Sequence, residues 1–373
     1  VTPALDAGGV ETLTLDMAAA TAGAGARSLV ASRGGRLEGA LAQAGGELIR
    51  LPVHSRNPLT LAANAHRLET VIRRENVSLV HVRSRAPAFS ALAAARRAGV
   101  PLVATYHGIY SAASPIKRWY NAVMTRGDAV IANSAFTQAH IAAEHGLPPE
   151  SITVIPEGVD AEAFNPAAVS SARIGALRAR WDIGPDERRR IILLPARLTG
   201  WKGHRIFIEA LARSPARGQV LAVLAGSGEA TALAGEIRAA IGSANLEESV
   251  RMVGPCADMP AAYTLADLVV APSTLPESFG RSVVEAAAMA TPVIASRLGA
   301  HAETVVDGLT GWLVAPGDAG ALAEAIDAAL AADPAALAAM GAAARERARR
   351  LYSLPAMCEA TFDLYRRVLE SRR

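Results

Sequence analysis

The sequence predicts an α/β protein built from two doubly wound domains, and three observations carry that prediction. Short apolar runs alternate with stretches of helical spacing along most of the 373 residues. The alternation stops once, in the turn-rich stretch from Pro156 to Pro166, and then starts again. The chain is also long for a single hydrophobic core. Strands that stay apolar for four or five residues, without polar alternation, belong in parallel sheets covered on both faces.

Residues 1–5 read as the tail of a strand that the chain enters part-way, with residues missing before Val1. A turn at Asp6-Ala-Gly8-Gly9-Val-Glu11 follows, then a helix over 12–20. Strands are predicted over 27–31, 47–51, 79–82, 101–106, 129–133 and 152–155, and helices over 59–74, 86–98, 114–125 and 134–144. After the break, a helix over 174–181 opens the second half. Strands then fall at 191–196, 219–225, 250–253, 268–271 and 292–296, with helices at 204–213, 229–241, 259–266, 282–290, 320–331 and 335–351. The last helix, 355–370, carries Phe362, Tyr365 and Leu369 at helical spacing.

Composition narrows the function classes. Hydrophobic residues make up 51% and charged residues 20%, which is globular and excludes general disorder. A net charge of +3 is too small to argue nucleic-acid binding, so no nucleic-acid partner is expected. Cys256 and Cys358 are too few and too far apart for a disulfide framework or a metal cluster, which fits a reducing compartment. No run reaches the ~18–20 apolar residues of a membrane span, and no basic segment leads into an apolar stretch as in a signal peptide. A cytoplasmic location is expected.

Chemistry concentrates in Glu277-Ser-Phe-Gly-Arg-Ser-Val-Val-Glu285. Glu277 lies in a loop; from Arg281 the run reads as a helix, with Glu285 on its second turn. A helix start offers unpaired N–H groups to a phosphate, and ionised carboxylates accept from sugar hydroxyls, so the run suits a sugar carried on a phosphate. Arg197 and Lys202 follow the strand at 191–196, and together they could clamp a diphosphate or simply be solvated charges. Only two lysines occur in the chain, Lys117 and Lys202. His107 closes the strand at 101–106 beside Gly108, a cleft position or a structural one. Gly8-Gly9 and Gly226-Ser-Gly228 each end a strand and are binding loops or plain turns. Lys117, Arg118 and Trp119 put cations beside aromatics in a chain only 4% aromatic, which suits a lipid–water interface or a helix packing its aromatics inward.

These motifs, in order and spacing, resemble family 4 of the retaining glycosyltransferases. The resemblance covers nearly the whole chain: Gly8-Gly9-Val-Glu11, Tyr106-His107-Gly108, Asn133-Ser134, Val154-Ile-Pro-Glu-Gly-Val-Asp160, Arg197…Lys202-Gly, Val253-Gly254, Pro276-Glu277-Ser-Phe-Gly280…Glu285-Ala, Gly299…Glu303 and Asp307-Gly-Leu-Thr-Gly311. It implies the GT-B architecture, two doubly wound Rossmann-like domains facing across a cleft. An acceptor domain would span 1–168, a nucleotide-sugar domain 169–351, and a terminal helix, 352–373, would cross back to the first domain.

The resemblance further implies retaining hexosyl transfer from a nucleotide-sugar to a hydroxyl, with no metal or other cofactor. Glu285 would hold the ribose and Glu277 the donor sugar. Backbone groups through Ser278, Phe279, Gly280, Arg281 and Ser282 would meet the sugar and diphosphate, with Arg197 and Lys202 on the diphosphate. Gly226 belongs to the same donor set, Val253 would face the base, Gly9 would approach the phosphate, and His107 would act near the reacting centre with Glu277. The family expectation for retention is a same-face substitution in which the leaving phosphate takes the acceptor's proton. A UDP-sugar is favoured over a GDP-sugar, with a lipid-linked or oligosaccharide acceptor in lipopolysaccharide or cell-envelope polysaccharide synthesis, and peripheral contact at the inner face of the cytoplasmic membrane through Lys117, Arg118 and Trp119. The alternatives are a GT-B UDP-sugar epimerase and a non-catalytic bilobal sugar-binding protein. Two features depart from the family pattern: Ala300 stands where a second glycine is usual, and Arg281-Ser282 is more polar than the common pair there.

Overall fold

A computed structural model describes residues 1–6 and 8–372; Ala7, inside the expected first turn, and Arg373, in the expected terminal segment, lie outside the described residues. The chain divides into two compact units: Val1–Gly158 together with the segment from Leu354 onward, and Val159–Ser353. The first crossing therefore falls at 158/159, not at 168. Val159 is tied to unit 2, where its N–H donates to the Tyr352 carbonyl at 2.8 Å and its side chain packs with Phe279 and Val284.

Unit 1 contains β1 (Ser28–Ser32), β2 (Gly46–Arg50), β3 (Val80–Val82), β4 (Leu102–Tyr106), β5 (Ala129–Ala132) and β6 (Ile152–Val154). All pairings are parallel, β1 with β2 and β3-β4-β5-β6 in order. Residues 1–5, expected as a strand, join these two sheets without forming a regular strand themselves. The Thr2 N–H donates to Ala31 of β1 at 3.1 Å, while the Arg83 N–H, just past β3, donates to Val1 at 3.2 Å.

The sheet is covered on two faces. Val82, Leu102, Ala104 and Val130 pack under the helices Pro58–Arg74 and Arg85–Ala98. Val103, Ile131 and Ile155 turn to the other face and meet Leu13 and Met17 of the first helix and Met357, Leu364 and Val368 of the last, Leu354–Glu370. Its buried stripe is Met357, Cys358, Thr361, Leu364 and Val368, with Phe362, Tyr365 and Leu369 only partly covered. This second face explains why the chain returns to unit 1.

Unit 2 holds β7 (Arg190–Pro195), β8 (Val220–Ala225), β9 (Val250–Gly254), β10 (Leu268–Ala271), β11 (Val293–Ser296) and β12 (Trp312–Val314), all parallel, in the order β12-β11-β10-β7-β8-β9. Successive strand residues feed opposite cores: Ile192 and Leu194 one, Ile191 and Leu193 the other. That division is why the strands read as unbroken apolar runs. The strand order reverses between β7 and β10, where crossovers leave the sheet to opposite sides and open a crevice beyond the carboxyl ends. β12 and the short helices Glu38–Gln43 and His301–Thr304 escaped the sequence reading, being too short to show a period.

Candidate functional site

The loops leaving β7 and β10 meet at this reversal. The Thr274 N–H donates to the Trp201 carbonyl at 2.7 Å, joining them through backbone. Lys202 Nζ then lies 2.5 Å from Glu277 Oε1, with the two side chains 19% and 11% exposed. Ser273 Oγ donates to the same oxygen at 2.7 Å, and Nζ sits 4.4 Å above the Trp201 ring. Such a short, largely dehydrated pair is a charge-assisted hydrogen bond with little solvent screening. The Glu277 backbone is fixed as well, its carbonyl accepting from the Ala300 N–H at 3.0 Å.

Gly280 caps the next helix, Arg281–Ala288, from the left-handed region (φ 83°), and as a glycine it brings no side chain of its own to the helix start. A β-carbon on Gly280 would meet the His301 ring at 2.5 Å, so glycine is required by both conformation and space. His301 is buried, and burial holds its pKa below the usual value. Along this helix Arg281 Nε donates to Glu285 Oε1 at 2.8 Å, and Tyr263, from helix Met259–Leu265, donates its hydroxyl to Oε2 at 3.0 Å. Burial, then the neighbouring Glu285 charge, raises the Tyr263 phenol well above its normal range, so it stays protonated.

The other expected donor residues scatter around this centre. Ser278 and Ser282 are half-buried on either side of the helix start. The Phe279 side chain is 2% exposed and packs edge-on against Tyr352 at 5.5 Å, so only its backbone can face a ligand. The Gly226 N–H donates to the Gly254 carbonyl at 2.8 Å, fastening the ends of β8 and β9, with Val253 half-buried beside them. Arg197 is exposed and makes no ion pair or side-chain hydrogen bond among the described residues, so Lys202 alone of the two cations reaches Glu277.

In unit 1, Arg83, His107, Asn133 and Glu157 follow β3, β4, β5 and β6 and converge. His107 Nδ1 lies 3.1 Å from Glu157 Oε1, which also accepts from Asn133 Nδ2 at 2.9 Å; Arg83 Nη1 lies 3.4 Å from His107 Nε2. A guanidinium can only donate, so Nε2 is an acceptor and Nδ1 carries the proton toward Glu157. Close by, His81 bridges Tyr365 (2.5 Å) and Thr105 (2.7 Å), and burial keeps it neutral. Gly9 is already the first residue of a helix, Gly9–Gly23, which begins earlier than the expected 12; the positive φ belongs to Gly8 (147°). Lys117, Arg118 and Trp119 lie exposed on helix Pro115–Asn121, with the Trp119 ring also 5.6 Å from Phe89.

Sequence reasoning missed Arg83, Tyr263 and Ser273. None belongs to a local motif, although each follows a strand or precedes one by a few residues.

Two family descriptions match in tandem: Glycosyltransferase Family 4 over residues 7–163 and Glycosyl transferases group 1 over 177–347. The chain belongs to glycosyltransferase family 4. Among curated family relatives, a D-inositol 3-phosphate glycosyltransferase of Mycobacterium sp. (strain JLS) is 32% identical over 217 residues, 57% of this chain and 47% of the relative. The chain thus spans about half the length of the curated relatives it matches first. Among solved structures, a glycosyltransferase from Rickettsia africae superposes with a TM-score of 0.89 at 29% identity, covering 99% of this chain and 98% of that one. Anabaena Alr3699/HepE, solved in complex with UDP and glucose, gives 0.84 at 27%, covering 98% of both. The two Rossmann-like units are those of the family's GT-B architecture.

Proposed function

We propose that the chain transfers a sugar from a nucleotide-sugar, a UDP-sugar first, to a hydroxyl acceptor, with retention at the anomeric carbon. The observation that carries this reading is the Lys202–Glu277 pair beside the helix start at Gly280, at the strand-order reversal of unit 2. As the bond from the anomeric carbon to the diphosphate breaks, its electrons pass to the leaving oxygen. Lys202 and the helix N–H groups stabilise that charge, which makes a metal unnecessary. Glu277 Oε1 already takes two donors, which suits holding a sugar hydroxyl better than removing a proton. The leaving phosphate is then the base for the acceptor hydroxyl, and His107, held by Glu157 in unit 1, is a further residue assigned to the reaction. UDP is supported by the Anabaena relative, whose structure holds UDP and glucose.

The test is turnover of UDP-sugars and GDP-sugars, with and without a chelator, followed by anomeric analysis of the product. Inversion, or chelator-sensitive turnover, overturns the corresponding part of the reading. Sugar conversion without any acceptor would instead favour the epimerase.

A lipid-linked or oligosaccharide acceptor in cell-envelope or lipopolysaccharide synthesis, handled at the inner membrane face, is favoured by one feature. Ile116 and Trp119 are 78% and 57% exposed on the helix that carries Lys117 and Arg118. No single helix among the described residues is long and apolar enough to cross a membrane. Co-sedimentation with anionic vesicles should fall as salt rises and be lost in Lys117→Ala/Trp119→Ala. Equal binding by that variant refutes the membrane reading.

A further inference from the structure

His301 opens the short helix His301–Thr304, just after the loop whose Ala300 N–H holds the Glu277 carbonyl. It is 1% exposed. Its Cδ2–Nε2 edge lies against Gly280, 2.5 and 2.8 Å from where a β-carbon on that glycine would stand, so the ring sits under the start of helix Arg281–Ala288. Nδ1 is sealed from solvent and has no hydrogen-bond partner of good geometry among the described residues, although the Ser296 backbone is close enough to favour the ring's charged form. An imidazole buried in this way costs stability if it serves packing alone, and a leucine or phenylalanine would fill the space without that cost.

Opposed influences set its charge. Burial, the largest, disfavours the cation; Glu277, in the loop after β10, favours it; Lys202, in the loop after β7, disfavours it. The positive end of the helix above it disfavours it too. The cations on the other elements packed here are engaged: Arg281 with Glu285 at 2.8 Å, and Arg347, of helix Pro334–Leu351, with the Glu303 carbonyl at 2.8 Å. The free protein therefore holds His301 neutral. A diphosphate at the helix start reverses the balance, because its negative charge offsets both Lys202 and the helix end.

We propose that His301 takes up a proton from solvent when a diphosphate docks at the start of helix Arg281–Ala288, so that it supplies a positive charge to the donor site only while the ligand is in place. The inference rests on the nucleotide-sugar reading and deepens it. The charge arises where the leaving diphosphate has to be stabilised, and the unliganded protein is spared a buried cation. With ligand bound, the imidazole stays charged up to a higher pH than it does in the free protein. Affinity therefore rises as pH falls between those two limits and is level outside them.

Calorimetric titration of UDP-glucose, whose diphosphate has no titrating proton near neutrality, in buffers of different ionisation enthalpy counts the protons bound. Wild type should take up about 0.3–1 proton per ligand near pH ~6.5, and its dissociation constant should weaken by about twofold to tenfold per pH unit from about 6 to 8. His301→Gln and His301→Phe should bind without proton uptake and with a flat pH profile. His204→Gln, which removes another buried histidine that feels Lys202, should keep the wild-type uptake. Zero uptake by wild type, equal uptake by His301→Gln, or loss of uptake in His204→Gln overturns the proposal and spares the nucleotide-sugar reading. Failure of wild type to bind UDP, GDP or their sugar conjugates overturns both. The wild-type proton count can refute the proposal by itself, so a variant that fails to fold leaves the test standing.

Discussion

Gly203 lies against the carbonyl of Pro272 so closely that a β-carbon on it would fall 1.9 Å from that oxygen. The contact joins the loop after β7 to the loop after β10, one residue beyond Lys202. Gly203 also has φ +77°. Gly203→Ala should cost about 1–3 kcal/mol of stability in unit 2 and displace Lys202 from Glu277. Gly200→Ala, three residues earlier with nothing within 4 Å, is the control and should be near neutral. Urea unfolding of the two variants, together with turnover, checks the contrast.

Lys202→Ala should lower turnover by about 100-fold or more, the usual loss when a preorganised charge-stabilising group is removed. It also strands the Glu277 carboxylate, so stability should fall too. Adding Glu277→Gln should restore the melting temperature without restoring turnover. Glu285→Ala should likewise abolish detectable transfer in a folded protein. Normal rates in either single variant refute the site.

Burial pushes His204 down to about 4, so the folded protein holds it neutral. The unfolded chain, with an ordinary histidine near 6.5, binds more protons between these values. Stability is therefore full above pH 6.5 and declines as pH falls toward 4, by at most about 3 kcal/mol. His204→Gln should flatten that part of the profile in denaturant titrations. An unchanged slope would show that His204 does not titrate with folding.

Leu364→Ala should destabilise unit 1 by about 2–4 kcal/mol, because its side chain is buried among the residues covering the second face of the sheet. Leu369→Ala, half-buried, should cost less than half as much. Thermal melts of the two variants separate the stripe seen in the structure from the one the spacing suggested.

The legible parts of the sequence were those with a local period. β7 and β8 announce themselves because both faces are covered, and the helix at 281 because alanines and valines follow a glycine. Glu277 and Lys202 were readable as residue types at strand ends, but their contact was not, since 75 positions separate them. Tyr263 was hidden for another reason: its ring is core and only its hydroxyl is polar, so in sequence it resembles any buried aromatic. The boundary at 158 was missed because turn composition marks flexibility of the chain, whereas the division depends on Val159 packing with Phe279 and Val284. Arg197 was readable in the same way, as a cation at a strand end, and the fold leaves its side chain exposed.

The helix that completes unit 1 is made after the whole of unit 2. During synthesis Leu13, Met17, Val103 and Ile131 emerge long before Met357, Leu364 and Val368, with all of unit 2 translated in between. Part of one apolar face of the first sheet must therefore wait uncovered while the second unit, whose strands are contiguous in the chain, can finish. Maturation of this enzyme fold is consequently not N-to-C: the first half to leave the ribosome is the last to close, and it is the half that a chaperone would have to guard.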